Sequence, residues 1–151
     1  MSEQPTISEL QPVVGVTVAF TALYFAFLYT QSFSKFYLYF KAKAKDPKIS
    51  FAKVKYGSTE LLAVTTDRTV GNMMEQSIPF LTSLWLCAIF ESADYAAKLG
   101  WLWLLFRALY PFAYYRRPWV LVSTVPGYII LFMLISPVAR KAVFFSHPAT
   151  I

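Results

Sequence analysis

Two sets of polar side chains, each spaced to share one helical face, hold whatever chemistry this chain can do. The first is Arg68, Asn72, Glu75 and Pro79, at steps of four, three and four. The second is Arg107, Tyr110 and Tyr114, at steps of three and four. Residues three or four apart are neighbours on a helix, so each set forms a stripe. Arg68 offers a planar fork to a carboxylate, Asn72 a donor and an acceptor, and Glu75 an acceptor for an ammonium or amide. Together the stripes describe a cationic, hydrogen-bonding pocket for a polar ligand that carries carboxylates. The same residues have a structural alternative. Arg68 and Glu75 could pair with Arg107 between helices, Asn72 could bond across a helix interface, and the tyrosines could anchor at a membrane surface.

The elements that carry these stripes are hydrophobic. Of 151 residues, 57% are hydrophobic and 15% charged, against about a quarter charged in a soluble domain. Leu10 to Ser34 is 25 residues without a charge, and Pro118 to Ala139 is 22. Roughly 20 mostly apolar residues cross the hydrocarbon core as a helix, so both qualify. Gln76 to Phe90 is uncharged, and Leu99 to Tyr115 is broken only by Arg107. Charges at membrane depth are unfavourable, so the middle two stretches must turn their polar groups toward a bundle interior.

The reading is therefore all-α: an integral membrane four-helix bundle, up-down-up-down, in one domain over residues 1–151. The predicted helices are 11–44, 67–92, 95–116 and 118–145, after a short N-terminal tail. Thr66 or Asp67 is the expected cap of the second helix. Asp46-Pro47 and Tyr56-Gly57-Ser58 mark turns in the first connection, and Pro126-Gly127 marks a kink in the last helix. Trp101, Trp103 and Trp119, with the tyrosines at 110–115, fit interfacial belts.

Several classes are excluded. Cys87 and His147 are each single, which leaves no disulfide framework and no zinc or other metal site. No phosphate-binding loop, nucleophile elbow or metalloprotease motif is present. The acidic Glu3 and Glu9 and the long first apolar run argue against a cleaved signal peptide. The net charge of +6 does not point to nucleic acid, because of where it lies. Lys35, Lys41, Lys43, Lys45, Lys48, Lys53 and Lys55 fall in or beside the first connection, and Arg116 and Arg117 in the third. By the positive-inside rule these two connections are cytosolic and both termini luminal. The lysines are then a juxtamembrane segment facing anionic membrane lipids.

In this setting the two stripes resemble the signature of the MAPEG superfamily, the membrane-associated proteins of eicosanoid and glutathione metabolism. The run Arg68-x-x-x-Asn72-x-x-Glu75-x-x-x-Pro79-Phe80-Leu81, followed by Arg107-x-x-Tyr110-x-x-x-Tyr114, carries the resemblance. Its spacing is similar to the microsomal prostaglandin E synthase and microsomal glutathione transferase branch. The resemblance implies a homotrimer, usually in the endoplasmic reticulum, with glutathione held between subunits. It also implies that Arg68, Asn72, Glu75, Arg107, Tyr110 and Tyr114 hold glutathione, joined by a basic residue late in the first helix, Lys41 or Lys43.

One departure bears on catalysis. Enzymes of the family that form a reactive thiolate usually use an arginine near the start of the fourth helix, and here Ser123 and Thr124 stand in that region. Thiolate stabilisation would then fall to Arg107 with Ser123 or Thr124. Gln76 also stands where a relative has tyrosine. The implied function is a glutathione-dependent transferase, peroxidase or isomerase acting on a lipophilic electrophile or lipid hydroperoxide. The alternative is a non-catalytic, lipid-binding or lipid-presenting membrane scaffold of the same fold, since Ser123-Thr124 with Pro126-Gly127-Tyr128-Ile129 is similar to the five-lipoxygenase-activating protein.

Overall fold

The computed structural model describes residues 6–116 and 119–145, so Glu3, Arg117 and His147 lie outside the described residues. The described chain is all-α, with five helices where four were expected. They are α1 (Ile7–Lys43), α2 (Phe51–Gly57), α3 (Leu61–Phe90), α4 (Ala93–Tyr115) and α5 (Val120–Phe145).

The differences from the expected bounds have local causes. α1 begins four residues early because the Glu9 carboxylate reaches back to accept from the Thr6 backbone N–H at 2.7 Å, satisfying one of the orphan donors of the first turn. α2 is new. Ser50 caps it by accepting from the Lys53 N–H at 3.3 Å. Phe51 stacks on Phe36 and meets Tyr39 edge-on, with centroids 5.2 and 5.3 Å apart, and Val54 is buried against Leu38 and Ala63. Two turns of helix are too short to show a hydrophobic period, so this element left no pattern to read.

α3 starts at Leu61, six residues ahead of the expected Asp67. Neither expected cap is used as one. The Thr66 hydroxyl donates back to the Leu62 carbonyl at 3.0 Å and lies 3.0 Å from the Ser34 hydroxyl. Asp67 instead receives Lys35 Nζ at 2.5 Å and Gln31 Nε2 at 2.9 Å.

α3 and α4 form a central pair that packs on both α1 and α5, while α1 and α5 do not touch among the described residues. Contacts between helix ends give the directions. Lys41 on α1 meets Glu60, just before α3, at 3.1 Å. Lys141 near the end of α5 bonds the Phe90 carbonyl at 2.7 Å and the Glu91 carboxylate at 2.7 Å, both at the end of α3. Successive long helices therefore run in opposite directions. The end of α1, the start of α3, the end of α4 and the start of α5 gather at one pole, together with α2.

Three helices, α1, α3 and α5, are long and apolar enough to cross a membrane. Large apolar side chains point outward along them, with Phe33, Ile78 and Phe132 at least 70% exposed, as lipid-facing surfaces require. α4, the shortest of the four long helices, packs on α1, α3 and α5. Trp103, expected in an interfacial belt, is instead fully buried. Its ring stacks on Phe80 with centroids 3.8 Å apart, and Phe20 closes on both from α1. Trp101 and Trp119 remain exposed.

Gly100 lets α4 come this close. A Cβ there would lie 2.7 Å from Val16 Cγ1 and 3.0 Å from Leu84 Cδ1. Overpacking costs about 1–3 kcal/mol, against a gain of about 1 kcal/mol for alanine over glycine in a helix. Gly100→Ala should therefore lower the thermal midpoint in detergent. Gly15→Ala, where a Cβ meets nothing within 4 Å, should leave it unchanged or raise it.

Candidate functional site

At the pole that gathers the connections, α3 turns Asp67, Arg68, Gly71, Asn72 and Glu75 toward Tyr110 of α4, and these residues line a polar cleft of about 340 Å³. Four of the sequence-predicted residues, Arg68, Asn72, Glu75 and Tyr110, are thus brought to one place. Tyr114 stacks on Tyr110 with centroids 6.0 Å apart and backs the cleft from one turn further on. Pro79 is exposed and lies outside it, and α3 runs on through it as helix.

Arg68 and Glu75 are both exposed on the single chain, and neither has a hydrogen-bond or ion-pair partner among the described residues. They do not join Arg107 in an inter-helix network, which was the structural alternative.

Arg107 lies beneath the cleft and is 1% exposed. Its guanidinium donates to Asn72 Oδ1 and Gln76 Oε1 and sits 4.9 Å from the centre of the Trp103 ring. From α5, Gly127 covers it so closely that any Cβ there would run into the guanidinium. The partners of this buried cation are neutral amides, and no carboxylate pairs with it among the described residues. Arg107 Nε and Gln76 Nε2 are buried without a partner.

The lysine from α1 differs from expectation. Lys41 is committed to Glu60, and neither it nor Lys43 lines the cleft. Lys35, nearly two turns earlier, is the one that reaches it, through Asp67. Lys35 Nζ also donates to the Lys55 carbonyl at 3.1 Å, which ties α2 to the same corner. Its position 32 residues before Asp67 carried no periodic signal, and it looked like one more lysine of the basic connection.

Ser123 is buried, and its hydroxyl donates to the Phe106 carbonyl, pinning α5 to α4. It also touches a second cleft, of about 360 Å³, whose lining is mostly apolar and includes Phe106, Leu109, Phe112 and Trp119. Thr124 is half-buried and lines neither cleft. On α4, Phe106, Leu109 and Ala113 line the apolar cleft, and Tyr110, four residues after Phe106, lines the polar cleft on the adjoining face.

Sequence reasoning missed Gln76 and Gly127 as parts of this arrangement. Gln76 could have been found, since it follows Asn72 by four residues and so shares its face. Gly127 could not, because its partner is twenty residues away on another helix.

The sequence profile of the MAPEG family matches residues 13–140, which includes both stripes and all but the ends of the outer helices. The chain belongs to the MAPEG family. This family includes glutathione-dependent transferases and isomerases as well as non-catalytic members. With three helices able to cross a membrane, family membership also makes this an integral membrane protein. An uncharacterized protein of Synechocystis sp. is 49% identical over 45 residues, 30% of this chain and 33% of that protein. The match thus spans about a third of the relative's length.

Within this MAPEG chain, the buried and exposed charges should respond differently to mutation. Gln76→Leu removes an acceptor from an enclosed cation, worth roughly 2–3 kcal/mol, and should lower the unfolding midpoint by circular dichroism. Arg68→Ala breaks no contact within the chain and should stay within about 0.5 kcal/mol of the parent. The reverse order would mean that Arg68 carries the packing.

Proposed function

We propose that this protein is a glutathione-dependent membrane enzyme acting on a lipophilic electrophile or lipid hydroperoxide, as a transferase, peroxidase or isomerase. One observation carries the proposal. Arg68 and Glu75, of opposite charge and on a membrane-crossing helix, stand unpaired among the described residues around a polar cleft. Exposed charges at membrane depth are unfavourable and are kept where a ligand or partner meets them.

The donor set fits glutathione, a small peptide with two carboxylates and one ammonium. Arg68, Asn72 and the Tyr110 hydroxyl would receive a carboxylate, and Glu75 would receive the ammonium. When bound, glutathione supplies a thiol whose deprotonated form is the nucleophile. The chain's own part is to hold the peptide, keep Tyr110 backed by Tyr114, and place positive charge nearby. Ser123 spends its proton on Phe106 and Thr124 lines neither cleft, so the nearest cations are Arg68, at the cleft, and Arg107, behind Asn72. The apolar cleft between α4 and α5 suits a lipid-soluble second substrate.

The same exposed face supports assembly as a homotrimer in which a neighbouring copy covers Arg68 and Glu75. All four long helices would then cross the membrane, with α4 shielded by its neighbours. The lysine-rich pole would face the cytosol, both termini the lumen, and the endoplasmic reticulum is the membrane in which we place it.

The lipid-presenting scaffold remains the second reading. Its support is that Arg107 is sealed beneath the cleft and that the described start of α5 carries no arginine.

Ultraviolet difference spectra of the detergent-solubilised protein, titrated with glutathione at neutral pH, separate the two. The enzyme should give a saturable thiolate absorbance that Arg68→Ala or Glu75→Ala abolishes while the oligomer survives. Absence of glutathione binding would favour the scaffold.

A further inference from the structure

Arg107 and Lys35 are the two buried cations among the described residues. Lys35 has a carboxylate in Asp67, whereas Arg107 has only two amide oxygens. The guanidinium cannot move out to meet a ligand. Gly127 closes it in on the side of α5, and the Trp103 ring lies 4.9 Å from it on α4.

A guanidinium has N–H donors and no acceptor. Whatever faces it must be an acceptor, so the Asn72 amide has no choice of orientation: Oδ1 turns inward to Arg107. The amide is planar, so Nδ2 then points to the other side, and Asn72 is a wall of the polar cleft. Asn72 Nδ2 has no partner among the described residues. Gln76 obeys the same rule, with Oε1 on Arg107 and Nε2 left without a partner.

The cleft's polarity follows. Asp67 is neutralised by Lys35 and Gln31, so Glu75 is the unpaired carboxylate on the lining. Arg68, the Asn72 amide and the Tyr110 hydroxyl supply donors on the rest. Such a surface reads an amino-acid end group, with its carboxylate at Asn72 and its ammonium at Glu75.

We infer that Arg107 is a positioning residue: it touches no ligand, and it holds Asn72 so that the amide donors face the cleft and receive a ligand carboxylate. The inference rests on the reading of the cleft as a glutathione site. If the amide flipped, Oδ1 would oppose the ligand carboxylate and Nδ2 would oppose the guanidinium, so the two contacts stand or fall together.

The test is calorimetric binding of glutathione, and of glutathione with one or the other carboxylate capped as its amide, to the full-length protein in detergent. The parent should discriminate against one of the amides by roughly tenfold or more, the worth of a hydrogen bond to a charged group. In Arg107→Met this ratio should fall severalfold, since Arg68 and Tyr110 still receive the carboxylate, with binding of the capped peptide little changed. A merely structural role would lower the melting point and leave the ratio intact, and that result would overturn the inference.

Asn72→Asp provides an arm that survives if Arg107→Met fails to fold. The new carboxylate pairs with Arg107 and should raise the unfolding midpoint, while its second oxygen faces the cleft and should invert the preference toward the amide. If Asn72→Asp binds glutathione as the parent does, the inference fails. If the parent binds neither peptide, the glutathione reading fails instead. The inference falls with that reading, whereas a parent that discriminates and an Arg107→Met variant with the same ratio overturn the inference alone.

Discussion

A guanidinium enclosed among helices with no counter-ion sets the terms for everything around it. Burying an ion is unfavourable by several kcal/mol unless its hydrogen bonds are met. Each helix that touches Arg107 makes one concession to it. α3 supplies two amides four residues apart, Asn72 and Gln76, whose oxygens share one face. α4 supplies the Trp103 ring one turn before the arginine, a favourable surface for a cation. α5 supplies Gly127, because any side chain there would occupy the same space. The central pairing of α3 with α4 and the approach of α5 are thus coupled through one side chain.

The remaining charges are sorted by depth and exposure. Lys35 with Asp67, Lys41 with Glu60, and Lys141 with Glu91 pair off near helix ends. Such pairs contribute little each when exposed to water, but they align the ends of α1, α3 and α5. Arg68 and Glu75 differ, since they sit on the outer surface of a crossing helix with no ion-pair partner among the described residues. Two amides that face a buried cation and two charges left unpaired on the outer surface are different chemical situations on the same helix. The first belongs to packing, and the second is open to a ligand or a second copy.

α4 separates two environments. Tyr110, with Tyr114 stacked behind it, lines the polar cleft, while Phe106, Leu109 and Phe112 line the apolar one. Ser123 would have been a natural bridge between the two, but its proton is given to the Phe106 carbonyl. A polar peptide and a lipid-soluble molecule would therefore approach the same helix from different sides within one chain. Bringing them together is a matter for the assembly as a whole.

Legible in the sequence were the all-α membrane class, the family, and four residues of the polar cleft, Arg68, Asn72, Glu75 and Tyr110, because these rest on local rules. Apolar run length marks helices able to cross, and steps of three and four put Arg68, Asn72 and Glu75 on one face whatever else the chain does. It missed α2, whose two turns are too short for a period, and it set the start of α3 six residues late because Thr66 and Asp67 look like caps. Tertiary structure alone decided that these two face α1, that Lys35 and not Lys41 reaches the cleft, and that Trp103 is core. It also decided which arginine is buried. Arg68 and Arg107 stand in equivalent stripes, and only tertiary packing, which sets Arg107 against α3 and α5, encloses one and leaves the other exposed. Burial, and with it the choice between a structural and a ligand-facing charge, is a property of neighbours far apart in the chain, which no spacing rule within one helix contains.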